Sequence, residues 1–298
     1  MSQPPERSSS HRTAATPLSV VPAAFVFLWS TGFIGAKLGM PYAEPFTFLL
    51  VRFAVVVPLL AIAALATRAP WPHRADEIAR IGLVGVLLHA AYLGGVFFAI
   101  SRGLEPAVVA LIVGLQPLAT AGAARVYLGE RLSRVAWIGL VLGFIGVVLV
   151  VGGRAGTGEV PVAGVATALV ALAGITAGTL YQKRHGTRMN LFSGSAVQFI
   201  AAALALLPLA LFCETGRIVW TGEFVFAVLW LAIVLSIGAI SLLHLLIRRG
   251  AAAKVASLFY LTPSVTAVLA WFLFGTTLTP AAVAGFVLSA VGVALVSR

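Results

Sequence analysis

Runs of about twenty apolar residues follow one another along this chain with little between them, and that length is what an α-helix needs to cross the hydrocarbon core of a bilayer. Bounded by charges, Pro and Gly, the runs fall at 18–38, 45–66, 78–100, 105–127, 135–152, 162–182, 191–213, 223–247, 252–274 and 280–297. A spanning segment must satisfy its own backbone hydrogen bonds, so runs of this length are helices. Composition agrees: 60% of the residues are hydrophobic and 10% charged, with a mean hydropathy of +1.05, against about 25% charged in soluble domains. The 298 residues leave no room for a sizeable soluble domain beside ten crossings. The expected fold is therefore all-α and integral to the membrane, with ten transmembrane helices and loops short enough to make consecutive helices antiparallel neighbours.

Residues 1–17 are polar and rich in Ser, Pro and Arg, which predicts a disordered tail. The run from Leu18 is too long for a signal-peptide core and reads as an uncleaved first helix. One cysteine, Cys213, excludes an intramolecular disulfide framework and paired-cysteine metal sites. No cofactor is expected. The formal charge of +11 sits in short loops rather than in a basic domain, so topology explains it and nucleic acid is not an expected partner.

Sorting the Lys and Arg residues by side tests orientation, because cytoplasmic loops retain positive charge. With the N-terminus inside, fifteen fall on the cytoplasmic side, from Arg7 and Arg12 through Arg248, Arg249, Lys254 and Arg298. Four fall outside (Lys37, Arg102, Arg154 and Arg217), and Arg52, inside a span, completes the twenty. The expected location is the inner (plasma) membrane with both termini cytoplasmic.

The chain also repeats itself. A shift of 146 residues sets Gly32 over Gly178 and Lys37 over Lys183, and Val51-Arg52-Phe53 over Val197-Gln198-Phe199. Comparing 117–151 with 263–297 gives 14 identities in 35 positions, including Pro117 with Pro263, Thr120 with Thr266, and Gly139 and Gly146 with Gly285 and Gly292. Repeats divide the chain at 18–152 and 153–298. Five spans per half, an odd number, make the second half enter from the opposite side, an inverted-topology repeat as in secondary transporters, with substrate expected near the midplane.

Local motifs carry a family resemblance. Trp29-Ser30-Thr31-Gly32 with Lys37, Arg52-Phe53, Gln116-Pro117-Leu118 and Tyr127-Leu128-Gly129-Glu130-Arg131 resemble the drug/metabolite transporter superfamily, in its ten-helix, EamA-like exporter branch. The resemblance implies export of a small metabolite and names no ligand. Thr276 departs from the pattern, since an acidic residue often follows that Gly in the second half.

Polar groups at membrane depth are costly and mark candidate sites. His89 and Tyr92 lie mid-helix on one face of the third span, with Gly82 and Gly85 leaving space before them; they are the first candidates for a central cavity, the alternative for His89 being packing. Trp29 either lines an apolar pocket or faces lipid. Arg52 either binds a substrate carboxylate or holds a structural hydrogen bond shared with its mate Gln198. Gln116 joins the substrate-binding candidates. Pro117 and Pro263, at equivalent mid-helix positions, are candidate hinges. Glycines at 139, 143, 146, 285 and 292 suit close helix packing, and Trp71, Trp137, Trp220 and Trp230 read as interfacial anchors. The one aspartate, Asp76, and the glutamates at 44, 105, 130, 159, 214 and 223 fall at helix ends or in loops. A carrier of lipophilic cations needs an intramembrane acid, so that reading loses ground. His-Glu-x-x-His, Gly-x-Ser-x-Gly and phosphate-loop motifs are absent, which disfavours an intramembrane enzyme. The expected function is secondary transport: export of a small molecule, foremost an amino acid, by alternating access. Proton-coupled export of a drug, sugar, nucleoside or purine is the alternative, with protons then a second partner.

Overall fold

The computed structural model describes residues 20–128, 133–155, 161–185, 189–239 and 259–296, together with 242 and 246. The tail, the Gly129-Glu130-Arg131 motif, Glu159, Arg188, His244, residues 248–254 and Arg298 lie outside the described residues. Helices are α1 Val20–Gly39, α2 Pro45–Ala66, α3 Ala75–Ser101, α4 Pro106–Gly114, α5 Gln116–Leu128, α6 Arg134–Ala155, α7 Val162–His185, α8 Leu191–Cys213, α9 Gly222–Ala239, α10 Thr262–Phe274 and α11 Pro280–Val296. Among the described residues the only β-pairing is an isolated bridge between Ala43 and Ile218.

Local chemistry sets the helix starts. Glu44 is extended (φ −67°, ψ 153°) and hands over to Pro45, whose missing N–H costs nothing in a first turn. Glu105-Pro106 opens α4 in the same way. Asn190 caps α8 by accepting from the N–H of Phe192 at 2.9 Å and of Ser193 at 3.4 Å, and Thr221 caps α9 through the N–H of Phe224 at 3.2 Å. At the end of α10, Gly275 takes φ 64°, a left-handed stop that glycine adopts without strain.

Among the described residues, six helices (α1, α2, α3, α7, α8 and α9) are long and apolar enough to cross a membrane; shorter apolar helices cover Pro106–Thr120, Trp137–Val150, Thr262–Phe274 and Pro280–Gly292. Large apolar side chains such as Ile62, Leu65, Leu204, Phe212, Phe272 and Val287 point outward, as a lipid-facing surface requires. Phe25, Phe48, Phe53, Phe97, Phe199 and Phe224 are fully buried and mark the core.

Contacts recur in the 146-residue register. α2 packs along α8, where Phe53 meets Phe199 with ring centroids 5.1 Å apart. Beyond the end of α8, Glu214 accepts from the Thr47 hydroxyl at 2.7 Å; beyond the end of α2, the Pro70 carbonyl accepts from the hydroxyl of Ser193, the mate of Thr47, at 2.6 Å. α6 packs along α11 through glycines: a Cβ on Gly146 would meet the Gly285 carbonyl at 2.6 Å, and one on Gly292 the Gly139 carbonyl at 2.5 Å.

Two of the long helices are irregular within. Val86–Ala91 of α3 and Trp230–Ala239 of α9 are π-helical, the wider winding that recurs at functional sites. Segments 86–91 and 232–237 correspond under the same shift.

One end of the bundle is stitched by carboxylates. Glu214 accepts the N–H of Phe46 at 2.8 Å and of Thr47 at 2.7 Å, capping α2 from the far half. Glu44 returns the bond, accepting the N–H and hydroxyl of Thr215, both at 2.7 Å. The Tyr42 hydroxyl bonds the Glu223 carboxylate nearby, and the Val219 N–H reaches the Tyr42 carbonyl.

Candidate functional site

Where α1, α3, α4, α5, α7 and α10 converge, the structure holds a small cavity. Trp29 of α1, Tyr92 of α3, Gln116 and Pro117 of α5, and Phe259 and Thr262 at the start of α10 form its wall. Its aromatic side is built: the Trp29 and Phe259 rings meet edge to face, centroids 5.0 Å apart, and Phe25 lies 5.5 Å from Trp29 and 5.2 Å from Phe259. Its polar side comes from Gln116, whose amide donates to the Thr179 hydroxyl at 3.0 Å, and from Tyr92 and Thr262. The Thr262 hydroxyl is buried and has no hydrogen-bond partner among the described residues.

The helices break at this cavity. The chain turns at Leu115, between α4 and α5, and the matching residues Phe259–Leu261 form a 3₁₀ turn before α10. Pro117 and Pro263 therefore differ from expectation: they are first-turn residues of new helices rather than kinks inside continuous ones. A proline in a first turn removes no intrahelical bond, so the break falls before it. Pro263 also lies outside this cavity, lining a neighbouring space with Leu115 and Ser289.

A polar cluster sits beside the cavity, between α2, α3, α8 and α9. Arg52 is buried at 4% exposure, and its Nη2 donates to the Ser236 hydroxyl at 3.1 Å. Ser236 in turn donates to the Leu231 carbonyl, five residues back in the π-helical segment. Gln198, also buried, faces His89 with its amide oxygen 3.4 Å from Nε2, and the imidazole stacks on Phe199 at 4.0 Å. Arg52 lies close enough for its charge to act on both Tyr92 and His89, so Tyr92 belongs to the cavity wall and the cluster together.

Of the residues singled out from sequence, Trp29, Tyr92, Gln116 and Pro117 share the cavity, and His89, Arg52 and Gln198 share the cluster. Tyr92 lines the cavity and His89 does not, although the Arg52 charge reaches both; His89 sits within the π-helical segment and Tyr92 just after it. The space expected at Gly85 is filled by α8: a Cβ there would meet the Gln198 backbone. The Trp230 indole N–H donates to the Thr31 hydroxyl of α1 at 2.9 Å, whereas Trp137 and Trp220 are exposed. Ser236, Phe259 and Thr262 went unnoticed, being single residues with no motif, although Ser236 sits in the 146-residue register beside the mate of His89.

Three comparisons bear on identity. The model of the EamA-like transporter family matches the chain twice, over residues 20–152 and 162–298. An "Uncharacterized transporter YvbV" of Bacillus subtilis (strain 168) is 29% identical over 92% of this chain and 90% of its own length. The "Uncharacterized inner membrane transporter YedA" of Escherichia coli (strain K12) is 26% identical over 86% of this chain and 82% of its own. A solved structure titled "Crystal structure of protein" shares the fold, with a TM-score of 0.63 at 18% identity, covering 93% of this chain and 96% of that one. Apolar helices broken around a central cavity, and a family model that fits each half of the chain in turn, lead to one assignment: this protein belongs to the EamA-like transporter family, within the drug/metabolite transporter superfamily.

Proposed function

We propose that the protein exports an amino acid or similar small metabolite across the inner membrane by alternating access, through ten crossings arranged as two opposed five-helix repeats with both termini cytoplasmic. The carrying observation is the lining of the cavity: aromatic and amide groups together, from Trp29, Tyr92, Gln116 and Thr262, at the breaks before α5 and α10. The matched contacts of α2 with α8 and of α6 with α11, and the two successive family matches, support the opposed repeats. The fifteen-to-four charge count supports the orientation.

Among the described residues every carboxylate lies in a loop or a first helical turn, which favours this reading over export of lipophilic cations. Proteoliposomes holding purified protein test it. Radiolabelled amino acids are expected to move, with Tyr92→Phe and Trp29→Ala lowering the rate; transport of sugars, nucleosides or purines with no amino-acid movement overturns the cargo. Cargo movement that generates a proton current would instead make the protein a proton-coupled exporter.

A further inference from the structure

Among the described residues, Arg52 is a cation without a counter-charge. A guanidinium offers five N–H donors and stays charged at any physiological pH. Here Nη2 meets the Ser236 hydroxyl, Nε is buried with no acceptor, and no described carboxylate pairs with the side chain. A buried charge is costly unless an opposite charge and hydrogen bonds compensate it. Serine supplies a dipole and no charge, and nearby His89, Tyr92 and Gln198 add none of negative sign at neutral pH.

The surroundings suit a transient partner. Tyr92, which lines the cavity, lies within range of the guanidinium's charge. The flanking elements are the two π-helical segments, Val86–Ala91 with His89 and Trp230–Ala239 with Ser236, where the backbone is already displaced from regular helix. The mate of Arg52 is the neutral Gln198, so one side of the site is charged and the other offers an amide.

We propose that Arg52 is the anion receptor of the transport site: the cargo carries a carboxylate that occupies Nε and the adjoining guanidinium edge while Ser236 holds the other. This rests on the transport reading above and narrows it, since the cargo is then defined by its acid group, whether or not it also carries an amine. Planar pairing of guanidinium with carboxylate is the geometry that lysine cannot reproduce.

The test is equilibrium binding to the full-length protein in nanodiscs, using matched probes: leucine, leucinamide, isoamylamine and 4-methylpentanoate, with amino, hydroxy and keto acids of other side chains in the same panel. The acids are expected to bind roughly tenfold or more tightly than their amide and amine counterparts, because loss of the charged acceptor leaves the guanidinium unpaired. Arg52→Gln is expected to erase that ratio and Arg52→Lys to restore part of it. The wild-type ratio alone decides the matter if Arg52→Gln does not fold. Equal binding of acid and amide overturns the inference and leaves amino-acid-derived cargo standing. Binding of 4-methylpentanoate as tight as that of leucine upholds it and removes the need for an amine. Arg52-dependent stabilisation by sodium chloride, with no added effect of any acid, overturns it in favour of a resident inorganic ion. A panel in which no carboxylate binds overturns it as well.

Discussion

α2 and α8 occupy matched positions 146 residues apart, and they are alike in packing and unlike in charge. Thr47 and Ser193 each send a hydroxyl to the chain just beyond the other helix, and Phe53 and Phe199 meet each other at the crossing. One residue before those rings the likeness ends: Arg52 binds Ser236 of α9, while Gln198 faces His89 of α3. Apolar contacts and end-to-end hydrogen bonds are what two opposed helices share when they hold each other in place. A single charge is what this pair does not share, and the proposed site rests on that inequality.

Matched substitutions break or sharpen that comparison. Gly146→Leu and Gly292→Leu are expected to do the most damage, about 3 kcal/mol or more each, because both drive a side chain into the facing backbone of the α6–α11 pair. Unfolding in detergent reads the loss, and a large effect in one half with none in the other breaks the equivalence. Next, Phe53→Ala and Phe199→Ala should each cost about 3–5 kcal/mol. Phe199 should sit at the upper end, since it also stacks on His89, and the double variant should cost less than the sum because the rings touch. Arg52→Gln is expected to raise the unfolding midpoint of the unliganded protein by the equivalent of about 1–2 kcal/mol while abolishing transport, whereas Gln198→Arg lowers it. A fall with Arg52→Gln would mean that the cation holds the fold. Thr47→Val and Ser193→Ala should cost about 1 kcal/mol each, one hydrogen bond apiece. Gly122→Ala, with open space around it, should change stability by less than about 0.5 kcal/mol.

Most of the frame could be read from the chain, because hydropathy and recurring Pro, Gly and Thr are properties of sequence. Gly146 and Gly292 were legible as packing residues for that reason; Trp29, Tyr92 and Gln116 were legible only as polar or aromatic candidates, without the cavity that joins them to Pro117. Arrangement within the helices was not. A 3.6-residue period puts His89 and Tyr92 on one face; the π-helical winding from Val86 to Ala91 departs from that period, and propensity carries no mark of it. The helix break was legible at Pro117 and misplaced by two residues, because proline is as comfortable opening a helix as kinking one. Ser236 is one hydroxyl in a run of apolar residues, and its importance comes only from what α2 brings against it.

The carboxylate stitch between Glu44 and Glu214 has a consequence for how the molecule comes to exist. The first-turn N–H groups of α2, at Phe46 and Thr47, are held by an acceptor 168 residues further along the chain in the case of Phe46. While the ribosome is still making the second half, those donors have no protein partner, and water or lipid headgroups must hold them. The first turn of α2 therefore gains its protein acceptor only after the chain beyond α8 has been made. Assembly of this protein ends where it began.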